Sequence, residues 1–176
     1  MKNRSYRRMA GRLGTVAALA ATAFAGMCPT KDLTLPTAKE IRAHYKYAGK
    51  LSARLDGNVA KVTVTQPSSQ IRKGGVLWAK VGPYVLLFSD DTRSLFDDYK
   101  GLAAVQVTTQ LAGGREIARA LLQRNELSDI LWRRSLNISG MARKYGTKRP
   151  SLLDDLVRWG EEHTQYDYNK KYTSVS

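Results

Sequence analysis

The chain has 176 residues, 43% of them hydrophobic and 25% charged, with a single cysteine and a formal net charge of +14. The balance is that of a folded domain and excludes wholesale disorder or a polytopic membrane protein; one cysteine excludes an intramolecular disulfide and a multi-cysteine metal site. Five bases, Lys2, Arg4, Arg7, Arg8 and Arg12, precede the first acid, Asp32, so the remainder still holds 24 bases against 15 acids, or +9, a surplus that favours anionic partners.

Residues 1–14 are basic and polar, residues 15–27 (TVAALAATAFAGM) are uncharged, and Ala23-Phe24-Ala25 forms an A-x-A cleavage pattern. Residues 1–25 therefore read as a signal peptide cleaved after Ala25, or as a short N-terminal membrane segment retained as an anchor. A helix from Leu13 to Met27 would reach about 22 Å against a hydrocarbon core of about 30 Å, which favours the cleaved form. Arg7-Arg8 resembles a twin-arginine export motif, although Tyr6, Ala10 and Gly11 depart from its flanks. Cys28 follows the apolar run but lacks the neighbours of a lipoprotein signal, with Ala25 and Met27 in their places. An Arg-rich, acid-free mitochondrial presequence is a further reading. The expected location is the periplasm or the outer face of a membrane.

Residues 26–40, with Pro29 and Pro36 among polar residues, read as a linker, and 41–164 as one α+β domain. Leu51, Ala53 and Leu55 alternate before Asp56-Gly57-Asn58, and Ala60, Val62 and Val64 after it, which predicts a β-hairpin. The apolar runs VLWAKV and YVLLFS, separated by Gly82-Pro83, predict a second hairpin. A short helix is expected through TRSLFDDYK, capped by Asp90 or Asp91 and closed by Gly101. AAVQVTTQL and REIARALLQ around Gly113-Gly114 predict a third hairpin. From Asn125 the period turns helical, with Leu127, Ile130, Leu131, Ile138, Met141, Ala142 and Tyr145 recurring up to Gly146; Ser151 with Asp154 then resembles a capping box opening LLDDLVRWGEEHT. The fold class expected is α+β: an antiparallel sheet of about three hairpins, with one short helix and a C-terminal helical hairpin packed on one face.

Chemistry-bearing constellations are sparse. Glu161, Glu162 and His163 are consecutive and point apart on a helix, and His44, the other histidine, has no ligand spacing. The Asp pairs 90–91, 97–98 and 154–155 fall at helix starts or exposed faces. No nucleophile elbow, P-loop or dinucleotide fingerprint occurs, and no cofactor, metal or catalytic residue is expected. What stands out is basic: Arg133, Arg134, Arg143, Lys144, Arg149 and Arg158 on the helical pair, then Tyr168, Lys170, Lys171 and Tyr172 in a Tyr/Lys-rich tail, residues 165–176.

These features point to a non-catalytic exported domain, an extrinsic accessory or scaffold subunit docked on a membrane face or membrane-protein complex. Its partner would be an acidic protein surface or an anionic membrane face, reached through Arg133, Arg134, Arg143, Lys144, Arg149, Tyr168, Lys170, Lys171 and Tyr172. An envelope module binding a glycan, lipid or small anion near Trp78 and Tyr84 is the alternative; an enzyme around Glu161, Glu162, His163 and His44 is a weaker one. Export counts against nucleic acid as the partner.

Overall fold

The computed structural model describes residues 33–174, less the side chains of residues 70 and 72–74. The signal-peptide, anchor and cleavage readings all fall outside the described residues. Thr37 opens the first helix, α1 (Ala38–His44), through a full capping box with Glu40. That helix begins inside the stretch expected to be linker. Leu51, Ala53 and Leu55 then face Val64, Val62 and Ala60 across a tight hairpin of β1 (Leu51–Asp56) and β2 (Val59–Thr65). Gly57 turns it at φ 59°, a left-handed conformation that glycine adopts without a Cβ penalty.

The expected second hairpin does not exist. Residues 76–87 belong to α2 (Ser68–Leu87), which kinks at Gly75 (φ 61°) and carries Pro83 inside it. A short apolar run does not distinguish a buried strand from a buried helix, and Gly82-Pro83 imitated a turn. Gly82 instead serves close packing: a Cβ there would lie 2.8 Å from Thr109 Cγ2. Trp78, Ala79, Val81, Tyr84, Leu86 and Leu87 are all buried, so the part of this helix after the kink packs into the core of the described domain.

Ser89, rather than Asp90 or Asp91, caps α3 (Asp90–Asp98), its hydroxyl accepting from Thr92 N. Gly101 does more than end that segment. Its N–H donates to Thr34 O at 2.9 Å, and a Cβ there would strike the Leu33 and Thr34 carbonyls at 2.6 and 2.7 Å. Strands β3 (Ala104–Gln110) and β4 (Glu116–Gln123) form a second antiparallel hairpin, turning at Gly114 (φ 79°). Helices α4 (Asp129–Tyr145) and α5 (Ser151–His163) follow; Ser128 caps the first, whereas Pro150 begins the second without the expected Ser151 side-chain cap. The chain ends in β5 (Gln165–Tyr168) and the single turn α6 (Lys170–Thr173).

The domain is α+β with one five-stranded sheet in the order β1-β2-β3-β4-β5. The sheet is mixed, not antiparallel as expected: β2 and β3 run parallel, Val59 beside Ala104 through Thr65 beside Gln110. A helical connection in place of a hairpin permits that direction, because α2 and α3 carry the chain back before β3 begins. Ala60, Val62, Val64, Val105, Val107, Ala120 and Leu122 face the helices and join one core with Ile41, Leu87, Leu95, Leu153 and Leu156. On the opposite face Lys61, Thr63, Gln106, Thr108 and Arg119 are half-buried or exposed.

Candidate functional site

Two arrangements hold the C-terminal third in place. Tyr84 of α2 and Tyr168 of β5 meet hydroxyl to hydroxyl at 2.5 Å, and Lys80 Nζ lies 5.2 Å from the Tyr168 ring centroid. Burial drives both hydroxyls well above the ordinary tyrosine range. Tyr172 packs with Ile71, Leu111 and Tyr168 against a small cluster of Ala79, Ile117 and Ala118. Tyr168 and Tyr172 thus anchor the tail to its own domain, and Tyr166, 46% exposed, is the tail ring that faces outward. In the second arrangement Trp159 Nε1 donates to the buried Ser135 Oγ at 2.8 Å and ties α5 to α4.

The cations named from the sequence stand on the outer side of this pair. Arg133, Arg134, Arg143, Lys144 and Arg149 are all exposed, as are Lys148 and Arg158. None makes a side-chain hydrogen bond or ion pair among the described residues. Residues 129–149 contain six bases and one acid, Asp129, a net +5. Four of the six bases fall between Arg143 and Arg149, at the C-terminal end of α4, where the helix dipole presents partial negative charge and favours cations. Lys144 Nζ lies 5.0 Å and Arg149 Cζ 6.0 Å from the half-buried Tyr145 ring, so one ring contacts both cations.

Helical spacing places Ile130, Arg134, Asn137, Met141 and Lys144 along one solvent-facing stripe of α4, roughly 21 Å long. Ile130 is 68% and Met141 38% exposed, two large apolar side chains among the cations. Both recur in the helical period of the sequence, yet the core face is Trp132, Ser135, Ser139 and Ala142, with Leu131 and Ile138 partly buried beside it. Beside the stripe, Arg134 stacks over Trp159 at 4.4 Å, and a groove of about 540 Å³ runs between the helices, with Asp155 and Glu162 on its α5 side.

No protein-family model matches this chain, and no curated protein or solved structure matches it either.

The remaining sequence candidates disperse. Lys170 and Lys171 are exposed on α6, which packs on α2, and no ion pair, hydrogen bond or ring contact joins them to the α4–α5 turn among the described residues. His44 lies 3.6 Å from Asp98 and edge-on to Tyr99, whereas His163 lies 3.7 Å from Glu126 and 4.2 Å from the Trp159 ring centroid. Glu161 reaches Lys80 at 4.0 Å, whereas Glu162 lines both the α4–α5 groove and a cavity of about 180 Å³ that it shares with His163 and Glu126, so Glu161 points away from the other two. Among the described residues no group of three or more His, Cys, Asp or Glu side chains is placed to hold a metal ion. Tyr84, named with Trp78 for the ligand-binding alternative, is wholly buried.

One structural cation escaped the sequence reading. Arg124 donates to the carbonyls of Leu102, Phe96 and Tyr99 and lies over the Phe96 ring at 4.9 Å, closing the end of α3. Its carbonyl partners lie 22 to 28 residues away, too far for any local pattern to signal.

Proposed function

We propose that this domain is a non-catalytic accessory module that docks on an anionic membrane face through the α4 stripe and the α4–α5 turn. The observation that carries the reading is the Arg143–Arg149 cluster: four exposed cations without an acidic partner, adjoining the exposed Met141 on the same helix. Cations near an anionic bilayer contribute about 1 kcal/mol each, and apolar side chains between them enter the headgroup boundary. Arg134 stacked on Trp159 presents its guanidinium from a fixed platform, which lowers the entropy lost on contact. No described helix is long and apolar enough to cross a membrane, so contact with the bilayer through these residues would be peripheral.

Sedimentation with vesicles tests this reading. The chain should pellet with phosphatidylglycerol vesicles at low salt, remain in solution with phosphatidylcholine vesicles, and be released from the former as salt shortens the screening length. Methionine or serine at Ile130 should weaken binding less than charge removal at the turn. Equal partition to both vesicle types, or none to either, would exclude the membrane face and leave an acidic protein surface as the partner.

A further inference from the structure

We infer that this chain dimerises through the free edge of its sheet, β1 of one copy pairing antiparallel with β1 of a second copy about a two-fold axis at Ala53. The sheet ends on β1 at one side and on β5 at the other. Strand β5 has four residues and runs at once into α6, whereas β1 has six and no proline to blunt it. The hydrogen-bond ladder fixes which backbone groups of β1 are free. Thr65 N donates to Lys50 O at 3.0 Å, so Lys50 and Thr65 form a hydrogen-bonded pair, and along an antiparallel ladder such pairs alternate with non-bonded ones. Ser52, Arg54 and Asp56 therefore also turn their N–H and C=O groups towards β2, and Leu51, Ala53 and Leu55 turn theirs outward. Among the described residues no side chain or further strand bonds to the backbone of those three. An edge of this kind is a template for another strand.

The side chains select a second copy and a single register. Pairing centred on Ala53 sets Leu51 opposite the partner's Leu55, Ser52 opposite the partner's Arg54 and Lys50 opposite the partner's Asp56, and the symmetry repeats each contact. Leu51, Ala53 and Leu55 share the helix-covered face with Val64, Val62 and Ala60 and are only partly buried against the core, so pairing extends that core across the junction. On the other face the exposed Lys50 and Asp56 meet as opposite charges. Lys61 Nζ holds Oδ2 of Asp56, which leaves Oδ1 for the partner's Lys50. The neighbouring two-fold registers fail on charge. Centring on Ser52 sets Lys50 against Arg54, and centring on Arg54 sets that residue against itself; like charges directly opposite destabilise a sheet. The axis stands perpendicular to the sheet, so both copies keep their helices on the same face. The contact is small, and a Kd of about 10–100 μM is expected.

Analytical ultracentrifugation of the full chain, in about 0.15 M salt to screen its net charge of +14, tests the interface. A monomer–dimer equilibrium is expected. Ala53→Pro removes the outward N–H and none of the bonds to β2, so it should give a monomer with unchanged circular dichroism. Asp56→Lys sets lysine against Lys50 and should weaken dimerisation about tenfold or more; adding Lys50→Asp to the same chain makes the charges opposite again and should recover it. Repair of the hairpin cannot explain that recovery, because the Asp56–Lys61 pair stays lost. Should Ala53→Pro fail to fold, the charge reversal and its rescue decide the matter. A dimer that survives Ala53→Pro in folded protein, one indifferent to Asp56→Lys, or a loss that Lys50→Asp does not recover would overturn the inference. So would a chain that stays monomeric up to about 500 μM, which would leave the edge to an extended segment of another protein.

Discussion

Helices α2 and α5 cross at Gly160, and substituting it puts the packing there under direct test. A Cβ at Gly160 would lie 2.5 Å from both Tyr84 Cδ1 and Cε1 and 2.6 Å from Cγ. The ring has nowhere to go. It is wholly buried, stacked on Phe88 at 6.1 Å, and held at its far end by the Tyr168 hydroxyl. Carbon atoms pack at about 3.5–4.0 Å, so Gly160→Ala forces the helices apart by roughly 1 Å. Replacing a helical glycine with alanine gains about 1 kcal/mol, whereas overpacking a close-packed core costs about 1–3 kcal/mol. With three ring atoms hit, including the one nearest the backbone, the cost is at the upper end and the net loss is about 1–2 kcal/mol. That lowers Tm by about 2–8 °C for a domain of this size. Gly140→Ala supplies the opposite sign: Gly140 lies inside α4 with nothing within 4 Å of its would-be Cβ, so Tm should rise by about 1–4 °C. Thermal unfolding followed by circular dichroism reads both. If Gly160→Ala raised Tm as Gly140→Ala does, the α2–α5 crossing described above would be wrong.

Arg124→Met should lower the urea midpoint by an amount equivalent to about 2–3 kcal/mol, since it strands the carbonyls of Phe96, Tyr99 and Leu102; a change under about 0.5 kcal/mol would refute its role in closing α3. Tyr168→Phe removes one hydroxyl of the pair and should cost about 1 kcal/mol, with faster amide exchange concentrated in β5; uniform exchange across the domain would contradict an anchoring role. Burial raises Tyr45, Tyr84 and Tyr168 above their unfolded values. Their contribution to stability is therefore complete below about pH 10 and declines as pH rises beyond it, because the unfolded chain releases protons that the folded one keeps. In an alkaline spectrophotometric titration these three should ionise only with unfolding, and smooth ionisation of every tyrosine in the folded protein would argue against their burial.

The parts of the fold legible in the sequence are those coded by neighbouring residues. Alternation around Asp56-Gly57-Asn58 and around Gly113-Gly114 located two strand pairs, and the helical period located α4 and α5. The illegible parts depend on distant partners. Gly82 reads as a turn until Thr109 and Gln66 are seen against it, and Gly101 as a helix terminator until the Leu33 and Thr34 carbonyls arrive. With α2 mistaken for a hairpin, the parallel pairing of β2 and β3 had no connection to support it. For the candidate surface, the exposure of Arg133, Arg134, Arg143, Lys144 and Arg149 follows from local charge pattern alone, whereas Tyr168 and Tyr172 were drawn inward by Tyr84 and Ile71, contacts that span most of the domain. Ile130 and Met141 fit a helical period equally well inside or outside, and only the packing of α4 on α2 and α5 decides it.

If the α4–α5 turn is the docking surface, binding depends on where the charge sits and not on how much there is. Glutamine at Arg143, Lys144, Lys148 and Arg149 removes four clustered cations; glutamine at Lys39, Lys46, Arg54 and Arg115 removes four exposed cations scattered over other elements. At about 1 kcal/mol per cation, the clustered variant should lose about a thousandfold in affinity for phosphatidylglycerol vesicles at low salt, and the scattered variant less than about tenfold. Equal losses from the two variants, or undiminished binding by the clustered one, would contradict the account.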